Sequence, residues 1–290
     1  MLNRIAMWGV VGALSLGLFP ASAAADTMDT VVAKGKLVVG VKSDYPPWGM
    51  RDKDGKIVGM EIDMANDIAK RISAKAGKPI AVELISVVGS NRMQFLQQGQ
   101  IDLMIATMSD KPDRRKVVGI TLPSYYASGV AVLAKKDSGI KGWADLKGKD
   151  ICSIQGAWYN KEWAEKYQAN LVAFTGRLEA EKALADGRCV GWIYDDTAFG
   201  SLLVLDAEKW KNYAIATPSV AEEPWAMAVR LEDRTGPFGK LVSEATVDWL
   251  ASGTLLAIEK KWGLPQSAWL KDMSDKCKAK HAACDINAAY

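Results

Sequence analysis

Four cysteines and one histidine are the groups best suited to metal or nucleophilic chemistry, and their spacing argues against both. The histidine, His281, lies near the C-terminus between Cys277 and Cys284. A lone imidazole cannot build a His-rich zinc site, and a Ser-His-Asp triad would have to borrow its base from that tail. Cys277, His281 and Cys284 together would still lack a fourth zinc ligand. Neither a metal nor a cofactor is therefore expected. Lysine and arginine total 37 against 34 aspartate and glutamate, a net charge of +3 with no basic run, so no nucleic acid is expected as partner. Tryptophan is abundant at 11 residues, which points to aromatic surfaces without saying what they face. At 290 residues, 49% hydrophobic and 24% charged, the chain has a globular balance and room for one or two domains.

The compartment decides how the cysteines behave. Arg4 supplies a small positive n-region and Ile5–Phe19 an apolar stretch. Pro20 then breaks the stretch before Ala21-Ser22-Ala23-Ala24-Ala25, which offers A-x-A cleavage sites before Ala24 or Asp26. A membrane span needs about 20 apolar residues. Residues 1–25 therefore read as a secretory signal peptide, and the product is expected to be exported and soluble. In an oxidising compartment an even cysteine count points to disulfides rather than thiolate catalysis. Cys152 and Cys189 lie in strand-like runs, Asp150–Ile154 and Arg188–Tyr194, while Cys277 and Cys284 bracket a short tail loop. Local pairing, Cys152 with Cys189 and Cys277 with Cys284, is the simplest of three connectivities, and one reduced pair is the alternative. The longer loop would contribute about 3–4 kcal/mol through chain entropy.

The elements that must position any site alternate between β and α. Leu37–Val41 is an apolar, β-branched run of buried-strand type. Glu61–Ser73 is an amphipathic helix with Ile62, Ala65, Ile68, Ala69 and Ile72 on one face and Glu61, Asp67, Lys70 and Arg71 outside it. Ile80–Ile85 is the next strand; Asn91 can cap a helix ended by Gly99, which leads into strand Ile101–Ala106. The second half repeats the scheme with strands Lys149–Ile154, Leu171–Phe174 and Cys189–Tyr194 and helices Tyr159–Tyr167 and Glu179–Ala185. A strand at Ala226–Arg230 and helices near residues 236–251 and 254–262 follow. The unit Phe95-Leu96-Gln97-Gln98-Gly99-Gln100-Ile101 echoes Ala183-Leu184-Ala185-Asp186-Gly187-Arg188-Cys189. Strands alternating with helices imply parallel β-α-β layering, here in two lobes of similar plan.

Gly59-Met60-Glu61-Ile62-Asp63-Met64-Ala65-Asn66-Asp67-Ile68-Ala69 resembles the signature of the polar amino-acid family, family 3, of bacterial extracellular solute-binding proteins. Other landmarks of that family stand around it in order: Lys36-Leu37-Val38-Val39-Gly40-Val41, Tyr45-Pro46-Pro47-Trp48, Asn91-Arg92, Pro112-Asp113-Arg114-Arg115, Gln155-Gly156, Tyr194-Asp195-Asp196 and Glu223-Pro224-Trp225. The resemblance spans about residues 36–263. It implies a type II periplasmic-binding-protein fold: two α/β lobes, each a mainly parallel sheet flanked by helices, with a ligand cleft at the hinge. Lobe 1 would take residues 26–127 plus 222–290, and lobe 2 residues 128–221.

Such a receptor meets a zwitterion, so it needs a fixed cation, a fixed anion and an apolar wall. Arg114 matches the family arginine that grips the α-carboxylate, and its planar fork suits two parallel charge-assisted bonds. Ser109 and Thr107 fall where the family places hydroxyls or backbone groups around that carboxylate. Asp195, with Asp196 as its rival, matches the aspartate that accepts from the α-ammonium. Tyr45 and Trp48 stand where an aromatic faces the ligand, and Gly156 opens a helix whose N–H groups can face a carboxylate. Glu223 and Trp225 lie at the hinge return, where hinge packing and ligand contact are both open.

Lys42 stands where basic-amino-acid receptors of the family often carry an acid, and Arg92 is a possible second cation. This favours Glu or Asp, then Gln or Asn, as ligand. Lys111 and Ala157 depart from the usual threonine, and Val190-Gly191 from the usual Asp-Ala pair. The resemblance implies an amino-acid receptor of an ABC importer, monomeric in the periplasm and serving an inner-membrane permease. An enzyme on the same fold, such as a dehydratase of prephenate-like acids, and a ligand-sensing module are the alternatives.

Overall fold

Apolar runs with no polar side chain become interior strands, because both faces of the strand must be covered. Leu37–Val41 does so in the computed structural model, which describes residues 26–288; the expected signal peptide, residues 1–25, lies outside them. In chain order the first pass comprises α1 (Thr27–Lys34), β1 (Lys36–Val41), a small antiparallel sheet of β2 (Asp44–Tyr45), β3 (Gly49–Arg51) and β4 (Ile57–Val58), and α2 (Met60–Ala76). It continues through β5 (Ala81–Ser86), α3 (Arg92–Gln97), β6 (Leu103–Ile105), α4 (Pro112–Arg115) and β7 (Gly119–Ile120). α2 buries Ile62, Ala65, Ile68, Ala69 and Ile72 along one face, as its helical spacing requires. Its start depends on Gly59: φ is +145°, and an added Cβ would stand 2.3 Å from the Trp48 carbonyl oxygen.

The chain then crosses into a second unit through β8 (Tyr126–Lys135) and continues with β9 (Asp150–Ile154), α5 (Asn160–Tyr167), β10 (Asn170–Phe174), α6 (Arg177–Ala185) and β11 (Gly191–Asp195). α7 (Asp196–Leu205), α8 (Ala207–Trp210) and β12 (Tyr213–Ile215) complete that unit, and β13 (Val220–Trp225) returns alongside β8. β14 (Ala228–Val229), α9 (Pro237–Ser252), α10 (Thr254–Lys261) and α11 (Ala268–Lys278) finish on the first unit.

Two main sheets result beside that small one, with strand orders β5-β1-β6-β14-β7 and β10-β9-β11-β8-β12, β13 also pairing with β8 in the second. The expected parallel β-α-β pairs are present in both: β1 lies between β5 and β6, and β9 between β10 and β11. Each sheet is completed by antiparallel strands, β14 against β6 and β7 in one and β8 against β11 and β12 in the other, so both are mixed. The strands next to the crossings, β7 and β14 in one sheet and β8 in the other, make the antiparallel pairs. The helix–Gly–strand echo has a physical basis. Gly99 and Gly187 both adopt left-handed φ, +67° and +74°. The bonds Gln100 N–H to Phe95 O and Gly99 N–H to Leu96 O recur as Arg188 to Ala183 and Gly187 to Leu184. Both helices thus end in the same Schellman-type cap.

Three local expectations are corrected. Cys189 lies ahead of β11, outside the strand. Asn91 does not cap α3 with its side chain; its Oδ1 accepts from the Val88 N–H in the turn before it. Glu61, placed outside the apolar face of its helix, is fully buried. Its carboxylate is the acceptor for Tyr125 Oη–H and for the Thr107 N–H, so burial serves a bonding role.

Four of the tryptophans form two aromatic clusters. Trp48 and Trp225 pack with Tyr45 and Tyr126 at the crossing between the units, with ring centroids 5.3–6.0 Å apart. Trp143 and Trp163 pack with Tyr167 inside the second unit. Cys152 is bonded to Cys189, joining β9 to the segment before β11, and Cys277 to Cys284, closing the turn after α11. Within that turn His281 Nδ1 accepts from the Ala283 N–H, so the imidazole is part of the local structure.

Candidate functional site

The ends of β1, β6, β9 and β11 converge where the two sheets meet, and loops leaving them line a cavity of about 40 Å³. Lys42 follows β1 directly. Only 2% of it is exposed, and its Nζ lies 3.2 Å from Asp44 Oδ1. Burial pushes its ammonium below the usual lysine range, against the opposing pull of Asp44. Arg92 begins α3, donates from Nη1 to the Ala106 carbonyl, and has no partner among the described residues for its buried Nε. Thr107 holds a left-handed φ of +46°, with its N–H tied to Glu61 and Tyr125. Burial raises the Glu61 carboxyl to about 7, while the Tyr125 and Thr107 bonds and the charges of Lys42 and Arg92 act in the other direction.

Arg114 is carried by α4, which Pro112 opens at its first helical position. The guanidinium donates from Nη1 to the Ser109 carbonyl, 3.1 Å, and from Nη2 to the Gly156 carbonyl, 3.1 Å. The second bond crosses between the units. Burial, reinforced by the nearby charge of Arg92, pushes Arg114 down to about 10, still cationic at neutral pH. Gly156 sits at φ +79° against Gly89, where an added Cβ would stand 2.5 Å from backbone. It lies in the turn ahead of α5 rather than opening that helix, whose N-cap is Tyr159; Gly156 is there because two main chains meet closely.

Opposite stands Asp195, at the end of β11. Tyr45 Oη donates to its Oδ2 at 2.7 Å across the gap. Burial raises the Asp195 carboxyl to about 6, with Asp196 adding to the shift and the Tyr45 bond, Arg92 and Lys42 reducing it. Asp196 points elsewhere: its Oδ1 accepts from Ser128 Oγ, 2.8 Å, and the Gly129 N–H, 3.0 Å, and its Oδ2 from Ser219. A third bridge joins the units at the edge of the site, where Asp44 Oδ2 accepts from the Arg177 N–H at 2.9 Å.

Lys42, Arg92, Thr107, Ser109, Arg114, Gly156 and Asp195 are therefore brought together around one cavity. Tyr45 reaches it only through Asp195, and Trp48 does not line it; Trp48 instead borders a separate cavity of about 320 Å³ behind the crossing strands, with Tyr126 and Asp196. Glu223 and Trp225 serve packing, Glu223 by pairing with Lys111 at 2.8 Å and Trp225 in the aromatic cluster. Sequence reasoning missed Gly89, Tyr159 and Tyr194 as lining residues. A tyrosine beside a helix start or ending an apolar strand reads as core, and these two are indeed buried. Trp158 also lines the cavity, with Lys111 Nζ 4.1 Å from its ring centroid.

Two α/β lobes that meet around a buried cavity, with a fixed guanidinium on one side and a carboxylate on the other, define a two-lobed binding protein for a small solute. The model of the bacterial extracellular solute-binding proteins, family 3, matches residues 37–265, and the chain belongs to that family. It is 29% identical over 240 residues to the ABC transporter glutamine-binding protein of Bacillus subtilis (strain 168), covering 82% of this chain and 84% of that one. It is 27% identical over 262 residues to the glutamate/aspartate import solute-binding protein of Escherichia coli (strain K12), covering 86% and 85%. Among solved structures, the cysteine-binding protein from Campylobacter jejuni shares the fold, with a TM-score of 0.76, 21% identity, and coverage of 86% of this chain and 98% of that one. By its family the chain is a binding protein and not an enzyme.

Proposed function

We propose that this chain is the receptor of an ABC importer for an amino acid with an acidic or amide side chain, closing its lobes over the ligand and presenting it to an inner-membrane permease. The observation that carries the reading is the charge inventory of the cavity. Among the described residues, Lys42, Arg92 and Arg114 line it against the carboxylate of Asp195, with Asp44 paired to Lys42 beside it. Arg114 and Asp195 suffice for an α-carboxylate and an α-ammonium. Two further cations then face the side chain, where they repel lysine, arginine or histidinium and attract a carboxylate or a carbonyl oxygen. Relatives named for glutamine and for glutamate/aspartate support the same class. The receptor acts as a monomer in the periplasm, after loss of residues 1–25. Lobe 1 takes residues 26–127 plus 222–290 and lobe 2 residues 128–221, a division supported by β8 and β13 lying side by side at the crossing.

Micromolar to sub-micromolar binding corresponds to about −8 to −11 kcal/mol, a scale that two charge-paired ends and side-chain burial can supply. Thermal-shift measurements with the twenty common L-amino acids test the class. Glutamate, aspartate or their amides should raise the melting temperature most, with lysine and arginine inert, and Lys42→Met should weaken glutamate more than glutamine. A largest shift from a basic amino acid would overturn the proposal.

A further inference from the structure

Tyr159 is buried to 1% exposure, lines the cavity, and its hydroxyl has no hydrogen-bond partner among the described residues. A buried phenol without a partner is costly in a finished fold and ordinary in a site that awaits one. Its neighbours limit what that partner can be. The ring stands edge-on to Trp158, 5.5 Å between centroids, in the same turn as Gly156, whose carbonyl is held by Arg114 Nη2. Two of the Arg114 nitrogens are thus fixed on main-chain carbonyls, which aims the guanidinium while the lone phenol lies on the facing wall. Tyr45 already donates to Asp195 Oδ2, and no bond joins Tyr159 to that carboxylate. Burial and the charge of Asp195 hold the phenol well above its ordinary pKa, so it is a donor throughout the working pH range. Ala157, where the family usually carries threonine, brings no hydroxyl of its own to this wall.

We propose that Tyr159 Oη donates to the ligand carboxylate that Arg114 grips, making Tyr159 a ligand-binding residue supplied by the opposite lobe. The inference rests on the amino-acid-receptor reading but not on the ligand's side chain, since every amino acid carries the α-carboxylate. It also gives the carboxylate one donor from each lobe, so full coordination forms only when the lobes are together.

The test is calorimetric titration of wild type and Tyr159→Phe with L-glutamate and with its α-carboxamide, after screening the twenty common L-amino acids against both proteins. The hydroxyl bonds nothing among the described residues, so the unliganded melting temperature should be unchanged or slightly raised. Tyr159→Phe should weaken glutamate about tenfold or more, the scale of one hydrogen bond to a charged group. For the α-carboxamide, whose neutral carbonyl oxygen accepts a weaker bond, the loss should be smaller, or neither protein should bind. Equal glutamate affinity, or a loss on the α-carboxamide as large as on glutamate, would overturn the inference. If arginine proves to be the ligand and shows the tenfold loss, Tyr159 keeps its role and the acidic-side-chain reading falls. If no common amino acid binds wild type, both fall.

Discussion

The wall that follows β1, β5 and β6 and the wall that follows β9 and β11 enclose one cavity with unlike chemistry. The first supplies cations, Lys42, Arg92 and Arg114, each desolvated and each held by an acceptor from its own lobe: Asp44, Ala106 and Ser109. The second supplies Asp195 and the aromatic side chains Trp158, Tyr159 and Tyr194, on a unit stapled by Cys152–Cys189. A site divided this way is incomplete in either lobe alone. On the proposed reading the α-carboxylate is drawn mainly to one wall and the α-ammonium to the other, so a zwitterion would bridge them. Binding energy and closure would then be one quantity, because only the closed arrangement lets both ends be held.

The division can be broken most severely from the cationic side. Arg114→Ala removes two charge-assisted bonds worth together about 3 kcal/mol or more, and should reduce affinity at least about a hundredfold. The measurement is the ligand-induced rise in melting temperature, which should vanish; a normal rise would remove Arg114 from the site. The next largest effect comes from the acidic side and has opposite signs on two readouts. Asp195 is raised from 3.8 to about 6, so its contribution to the unliganded fold is present below about 4 and lost as pH rises through about 6. Binding runs the other way, because the ammonium needs the ionised form. Affinity should fall as pH drops through about 6, while Asp195→Asn should raise the unliganded melting temperature at pH 7.5 and lower affinity by more than tenfold. Titration calorimetry and melting curves between pH 5 and 8 check both signs. The smallest effect lies at the rim, where Lys111 links the walls through Glu223 and the face of Trp158. Partly exposed pairs of this kind contribute about 0.5–1 kcal/mol. Lys111→Thr should therefore speed ligand dissociation roughly two- to fivefold in stopped-flow measurements with little change in association.

How much of this was legible in the sequence depended on the range of the interaction. β1, α2 and the Gly99 and Gly187 caps are local, written in apolar spacing and in left-handed glycines, and they stand within a few residues of where pattern placed them. Arg114 and Asp195 were legible through motif position, and the cavity brings them together. What was not legible is long-range. The pairing of β8 with β13 joins segments far apart in the chain and has no signature in either. Glu61 reads as a solvent-facing charge until the main-chain N–H of Thr107 and the hydroxyl of Tyr125 arrive to claim it. Trp48 and Tyr159 are both large aromatics beside a turn; one packs behind the crossing and the other reaches the cavity, and residue type alone cannot separate those outcomes.

Asp44 carries a consequence of its own. Its carboxylate completes the first turn of α6 by accepting from Arg177, 133 positions away in the chain and in the other lobe. A helix in one lobe thus borrows its opening bond from the other. If the lobes part, that amide passes to water, and its protection from exchange with deuterated solvent would then measure how large a fraction of molecules stands open.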